Sequence, residues 1–246
     1  MMFNTRAGLA TVVLAGNCLA MAARGADPSP FKANDVVLFQ GDSITDGGRG
    51  RNADPNHILG QDYAYLIAAK FGAASPQLHV TFLNRGISGN KVSDLQKRWQ
   101  TDTLDLKPTV LSILVGINDL NHAVSAEDFE AQYDALLQQT VKALPNVRLV
   151  LCAPFAFPIG RMKEDWGMLE PELQKRQKIV AKLAEKYHAT LVELQPVLDE
   201  ALKQAPAEYW IWDGIHPTYA GHQLLAEAWV RVVAAGNAEP TSPAPR

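Results

Sequence analysis

The chain has 246 residues, 47% of them hydrophobic, enough to bury one substantial core and with no shift in composition to mark a second. Its 23 basic and 26 acidic residues are interspersed and leave a formal net charge of -3, which excludes a basic face for nucleic acid and an acidic tail. Internal repeats are absent, and the one compositionally biased tract is the Pro/Ala-rich end from Gly236 to Arg246.

Residues 1–22 read as a signal peptide. Arg6 supplies a positive n-region, Ala7 to Ala23 is apolar but for Asn17, and Ala20-Met21-Ala22 offers a small-x-small cleavage pattern. The apolar stretch is short for a span of ~20 residues, so cleavage is expected rather than anchoring. The mature protein is then secreted or periplasmic and free of the membrane. Asn17 ahead of Cys18 departs from a lipoprotein box, and after cleavage Cys152 is the only cysteine, with no disulfide partner. It reads as a small buried apolar residue.

Apolar runs and helical patterns then alternate. Strands are expected at Asp35–Gln40, Leu78–Asn84, Thr109–Val115, Val147–Cys152 and Thr190–Leu194, each nearly continuous in apolar residues, as strands covered on both faces are. Helices are expected at Asp62–Phe71, Val92–Leu104, Ala126–Leu144, Glu172–Tyr187 and Pro217–Ala235, with Pro108 and Pro145 marking stops. The alternation predicts an α/β fold, a three-layer α/β/α sandwich with a parallel five-stranded sheet and right-handed crossovers. A single domain spans residues 31–235, and residues 236–246 form a frayed tail.

The chemistry sits where strands end. Gly41-Asp42-Ser43 follows the first apolar run and delivers a hydroxyl to the carboxyl edge of the sheet, where ligands of open α/β sheets bind. Serine is a weak nucleophile without a base. Asp213-Gly214-Ile215-His216-Pro217 supplies a carboxylate and an imidazole three residues apart, completing a Ser/His/Asp set in the chain order Ser, Asp, His. Two further segments lie between: Asn84 to Asn90 after the second run, and Gly116-Ile117-Asn118-Asp119 after the third.

These four blocks, in this order, resemble the SGNH hydrolases, or GDSL esterases, from about Val36 to Trp229. The wording of Gly41 to Arg49, Asn84 to Trp99 and Trp210 to Gly221 is most similar to the bacterial branch that contains acetylxylan esterases. The resemblance implies the flavodoxin-like strand order, a triad of Ser43, Asp213 and His216, and an oxyanion hole made by the backbone N–H groups of Ser43 and Gly89 with the Asn118 amide. One position departs: many members carry Ser-Gly-Asp where this chain has Ser88-Gly89-Asn90. The family's contribution there is a backbone N–H, so the mechanism survives the change, and what the position leaves open is substrate preference.

Competing readings fail on residues. Ser88 lacks the second glycine of a Gly-x-Ser-x-Gly elbow, because Asn90 stands there. Gly47-Gly48-Arg49-Gly50 is not followed by the Gly-Lys-Ser/Thr of a phosphate loop. The histidines show no metal-ligand spacing, so neither a metal nor another cofactor is expected. Asp42 and Asp46 read as loop hydrogen-bonders. Asp42, Trp210 and Trp212 are candidate substrate contacts, the tryptophans as flat surfaces for sugar rings. The expected function is a secreted serine esterase acting on short acyl, above all acetyl, esters of carbohydrate. The rivals are a lysophospholipase or arylesterase with the same triad and a non-catalytic carbohydrate-binding protein on the same fold. Oligomeric state, including a homo-oligomer, stays open.

Overall fold

The computed structural model describes residues 29–52 and 54–236. The expected signal peptide and the tail beyond Gly236 lie outside them. In chain order the described elements are β1 (Val36–Gly41), α1 (Ser43–Asp46), α2 (Tyr63–Ala74), β2 (Thr81–Asn84), α3 (Val92–Trp99), β3 (Val110–Leu114), α4 (Ile117–Asn121), α5 (Ala126–Ala143), β4 (Arg148–Cys152), α6 (Trp166–Lys186), β5 (Thr190–Val192), α7 (Gln195–Ala201), α8 (Ala207–Trp210) and α9 (Tyr219–Gly236). The strands form one parallel sheet in the order β2-β1-β3-β4-β5. The flavodoxin-like expectation therefore holds.

Strand alternation divides the core in two. Val37, Phe39, Val110, Val150 and Val192 face α2 and α9, while Leu38, Leu111, Ile113, Leu149 and Leu151 face α3, α5 and α6. Both faces being apolar is why the runs lacked a period of two. On the first face Phe39 meets Tyr63 edge-to-face at 5.7 Å, and Trp229 of α9 lies 5.6 Å from Phe39. Trp229 Nε1 donates to Ser112 Oγ at 2.9 Å, which satisfies a hydroxyl buried in the middle strand.

The element boundaries shift for local reasons. The second strand starts at Thr81 rather than Leu78, because Pro76–Leu78 form a 3-10 turn that ends with His79 at φ 51°. Helix α6 begins at Trp166, upstream of Pro171, which stands inside it. After α3 the chain continues through a π turn, Gln100–Leu104, so the expected helix to Leu104 is present with a looser last turn.

Parallel pairing puts the carboxyl ends of β1, β2 and β3 on one edge. Phe39 pairs with Asn84 and Gly41 with Leu114, so the loops that follow them emerge side by side.

Candidate active site

Ser43 opens α1 directly after β1. Asp42 caps that helix by accepting from the Ile44 N–H at 3.0 Å, and Gly47 closes it in the left-handed region at φ 52°. The serine hydroxyl thus stands at the start of a helix, and its own N–H, an orphan of the first turn, donates to no acceptor among the described residues. Gly89 sits at φ +82°, a conformation that disfavours a side chain, and a Cβ there would point into open space rather than into protein. Its N–H also lacks an acceptor among the described residues. Asn118, in the first turn of α4, spends one amide hydrogen on the Asn90 carbonyl at 3.2 Å, and no acceptor among the described residues takes the other.

Hydrogen bonds lock these three loops together. Asp46 Oδ2 accepts from the Ser88 N–H at 2.9 Å, from Ser88 Oγ at 3.0 Å and from Arg51 at 2.7 Å. The Ile87 N–H reaches the Gly41 carbonyl at 3.1 Å. Burial of Asp46 works to raise its carboxyl, but the Arg51 and Ser88 donors outweigh it and hold the pKa below its ordinary value.

His216 arrives from the other end of the chain, in the turn before α9, and its Nε2 lies 2.7 Å from Ser43 Oγ. Its Nδ1 is 2.8 Å from Asp213 Oδ2, while Asp213 Oδ1 accepts the His216 and Ile215 N–H groups at 2.8 and 3.0 Å. Burial would raise the Asp213 carboxyl; the His216 main chain, Arg161 and the imidazole overcome burial and keep it well below the carboxylate range. With Asp213 ionised, a proton on Nδ1 can face its carboxylate, which leaves Nε2 to accept from the serine hydroxyl.

Arg161 is the member of this constellation that the sequence reading did not find. It lies on the loop after β4, donates through Nε to Asp213 Oδ2 at 3.0 Å and through Nη2 to the same oxygen, with Nη2 3.0 Å from His216 Nδ1. Its backbone runs against Asp213: a Cβ on Gly160 would fall 2.6 Å from the Asp213 carbonyl oxygen, and the Arg161 N–H donates to that oxygen at 3.2 Å.

The candidate substrate contacts separate. Trp212 is 63% exposed, and its ring stacks beside the His216 ring at 6.5 Å with 26° between planes. Trp210 is buried, and its Nε1 donates to the Ala201 and Ala205 carbonyls at 3.1 and 3.3 Å, so its face is not open to a sugar. Asp42 is likewise buried; burial raises its carboxyl to about 7, and it serves α1 rather than a ligand. Trp210 and Asp42 are thus corrected from substrate contacts to parts of the scaffold. Among the described residues no three His, Cys, Asp or Glu side chains gather as a metal site. Cys152 is buried against Ser112, and burial pushes its thiol up to about 12.

The GDSL-like lipase/acylhydrolase family pattern matches residues 39–224, which include all the groups above. An acetylxylan esterase of Geobacillus stearothermophilus is 31% identical over 219 residues, 82% of this chain and 94% of that protein. Among solved structures, a GDSL-like protein of Parabacteroides merdae is 39% identical with a TM-score of 0.79, over 84% of this chain and 99% of its own. The acetylxylan esterase Axe2 of the Geobacillus species superposes with a TM-score of 0.72 at 31% identity, over 82% of this chain and 95% of its own.

Proposed function

Because the chain belongs to the GDSL-like lipase/acylhydrolase family and is a carboxylic ester hydrolase, we propose that it is an exported enzyme that removes acetyl groups from carbohydrate, with Ser43 as nucleophile, His216 as proton shuttle and Asp213 as its orienting carboxylate. The observation that carries this reading is the hydrogen-bonded line from Ser43 Oγ through both nitrogens of His216 to Asp213. As Ser43 Oγ bonds to the acetyl carbon, its proton moves to His216 Nε2 and the carbonyl oxygen becomes an oxyanion. The Ser43 and Gly89 N–H groups and the second Asn118 amide hydrogen are donors without another acceptor among the described residues, which suits them to that oxygen. Collapse breaks the bond to the sugar oxygen, which leaves with the proton from His216. Water, deprotonated through the same nitrogen, then releases acetate and restores Ser43.

The acetylated-sugar substrate draws support from the acetylxylan esterase relative and from Trp212, an exposed indole beside His216. Export rests on the pattern in residues 1–22; a secreted protein whose N-terminus begins after Ala22 is the expected result. The deciding experiment compares acetate release from acetylated xylan with hydrolysis of a lysophospholipid and of p-nitrophenyl esters from acetate to octanoate. An acetyl pocket meets each added methylene with steric clash and forgoes the about 0.8 kcal/mol that burying it would contribute, so kcat/KM should fall steeply along the ester series. Ser43→Ala should lower every activity by about a million-fold. A kcat/KM that climbs to octanoate, with lysophospholipid preferred over acetylated xylan, would replace this reading with a lysophospholipase. A Ser43→Ala enzyme retaining a tenth of its activity would remove Ser43 as nucleophile.

A further inference from the structure

An open cavity of about 560 Å³ lies at the β2 edge of the sheet, with Arg49, Arg51, Arg85, Leu83, Ile58 and Asp102 in its wall. Arg98 stands directly behind it and donates to the Arg85 carbonyl at 2.8 Å. Two carboxylates answer these four guanidinium groups, and both are engaged: Asp46 by Arg51 at 2.7 Å and Asp102 by Arg98 at 3.0 Å. Arg49 and Arg85 are half-buried and donate only to main-chain carbonyls, those of Gly86 and Asn84. Neither has a carboxylate partner among the described residues. Burial, and after it the neighbouring Arg51, pulls the Arg49 guanidinium down to about 10.

Cations partly withdrawn from water and crowded together in excess of the carboxylates beside them are costly unless a further anion joins them. The guanidinium fork presents paired N–H donors matched to the two oxygens of a carboxylate. The cavity also shares its wall with the catalytic loop. Arg49 Nε holds the Gly86 carbonyl at 2.9 Å, Arg98 Nε holds Asn90 Oδ1 at 2.9 Å, and Asp46 receives both Arg51 and Ser88. Gly89 lies within that loop, so the cavity wall and the Ser43 site are tied together through the segment from Gly86 to Asn90.

We propose that the cavity is an anion subsite that receives the carboxylate of an acidic sugar belonging to the same glycan that offers its acetyl ester to Ser43, an inference that rests on the glycan-deacetylase reading above. Acetylated xylo-oligosaccharides with and without a uronic acid branch test it. The wild-type enzyme should favour the acidic substrate by about ten- to a hundred-fold in kcat/KM, the worth of hydrogen bonds to a charged group. That ratio, taken within one enzyme, should shrink with added salt and collapse in Arg85→Gln. Arg85→Lys keeps the charge without the fork and should fall between; it also decides the matter if Arg85→Gln does not fold.

Direct binding is read by calorimetric titration of the Ser43→Ala protein with glucuronate and, separately, with inorganic phosphate. Glucuronate binding that disappears when Arg85→Gln is added supports the subsite. Equal kcat/KM for acidic and neutral glycans overturns it, as does phosphate bound in preference to glucuronate or no binding of either. Turnover of p-nitrophenyl acetate with neither glycan deacetylated would bring down the glycan reading instead, and the titration alone would then decide the subsite.

Discussion

Asn118 illustrates what one side chain does here. One of its amide hydrogens is spent on the Asn90 carbonyl at 3.2 Å, tying the loop after β3 to the loop after β2, and the other has no acceptor among the described residues. Asn118→Ala should therefore lower kcat by about a hundred- to a thousand-fold, as loss of one oxyanion donor does, with KM little changed. The lost bond to Asn90 should cost only about 1 kcal/mol of stability. A variant with a collapsed melting temperature whose folded fraction is fully active would make Asn118 a tie between loops and nothing more. At this scale the sequence was legible where chemistry repeats a local pattern: Ser43 behind an apolar run, and Asp213 and His216 three residues apart. Arg161 carries no such mark, because it meets Asp213 across a separation of 52 residues from an aperiodic loop. Trp210 and Trp212 read alike in the sequence, yet α8 ends at Trp210 and the backbone turns extended at Ile211. One indole is thereby buried while the other faces out over His216.

Helix α9 shows how an element distant from the chemistry positions it. It follows His216 in the chain, and its anchor is Trp229, fully buried between Phe31 and Phe39 and bonded to Ser112 in the central strand β3. Trp229→Ala should cost about 3–5 kcal/mol, the usual penalty for emptying a buried aromatic site, read as a lower urea midpoint at unchanged slope. A loss under 1 kcal/mol would show that α9 is docked by its other contacts. The five strands were legible because each is an unbroken apolar run, and long helices such as α5 because they are periodic and capped; Ser125 Oγ accepts the Asp128 N–H at 3.0 Å. Helices α1, α4 and α8 have four or five residues each, too short for any period to register. The seven-residue α7 was missed for the same reason. The expected start of α6 at Glu172 falls one residue after Pro171, yet the helix begins at Trp166 and takes that proline in.

Across the whole molecule, the protein carries several buried acids whose burial pushes them far from ordinary values: Asp42 to about 7, Asp62 to about 8 and Asp119 to about 6. Each keeps its proton in the folded state at pH values where the unfolded chain, with carboxyls near 4, has released it. Folding then binds protons, so stability is fully present below the unfolded value and is lost as pH rises through the folded one. His222 opposes this at lower pH, since burial depresses its imidazole to about 4 and its contribution is lost as pH falls below about 6.5. The carboxyls held low, such as Asp213, lose their contribution only as pH falls below the ordinary carboxylate range. Between about pH 6.5 and 8 the raised acids therefore act without opposition from either. Stability should decline there by up to about 1.4 kcal/mol per pH unit for each acid still protonated in the fold, Asp62 longest of all. Asp62 also caps α2, accepting the Tyr65 N–H at 3.0 Å, and asparagine keeps that cap without a titrating proton, at the loss of the 3.2 Å bond from Asn84 Nδ2. Asp62→Asn should accordingly keep the fold and flatten the decline of the denaturation midpoint across that window. A midpoint that is flat in the wild type, or that falls as steeply in Asp62→Asn, would mean that Asp62 is not the proton-holding acid its burial makes it.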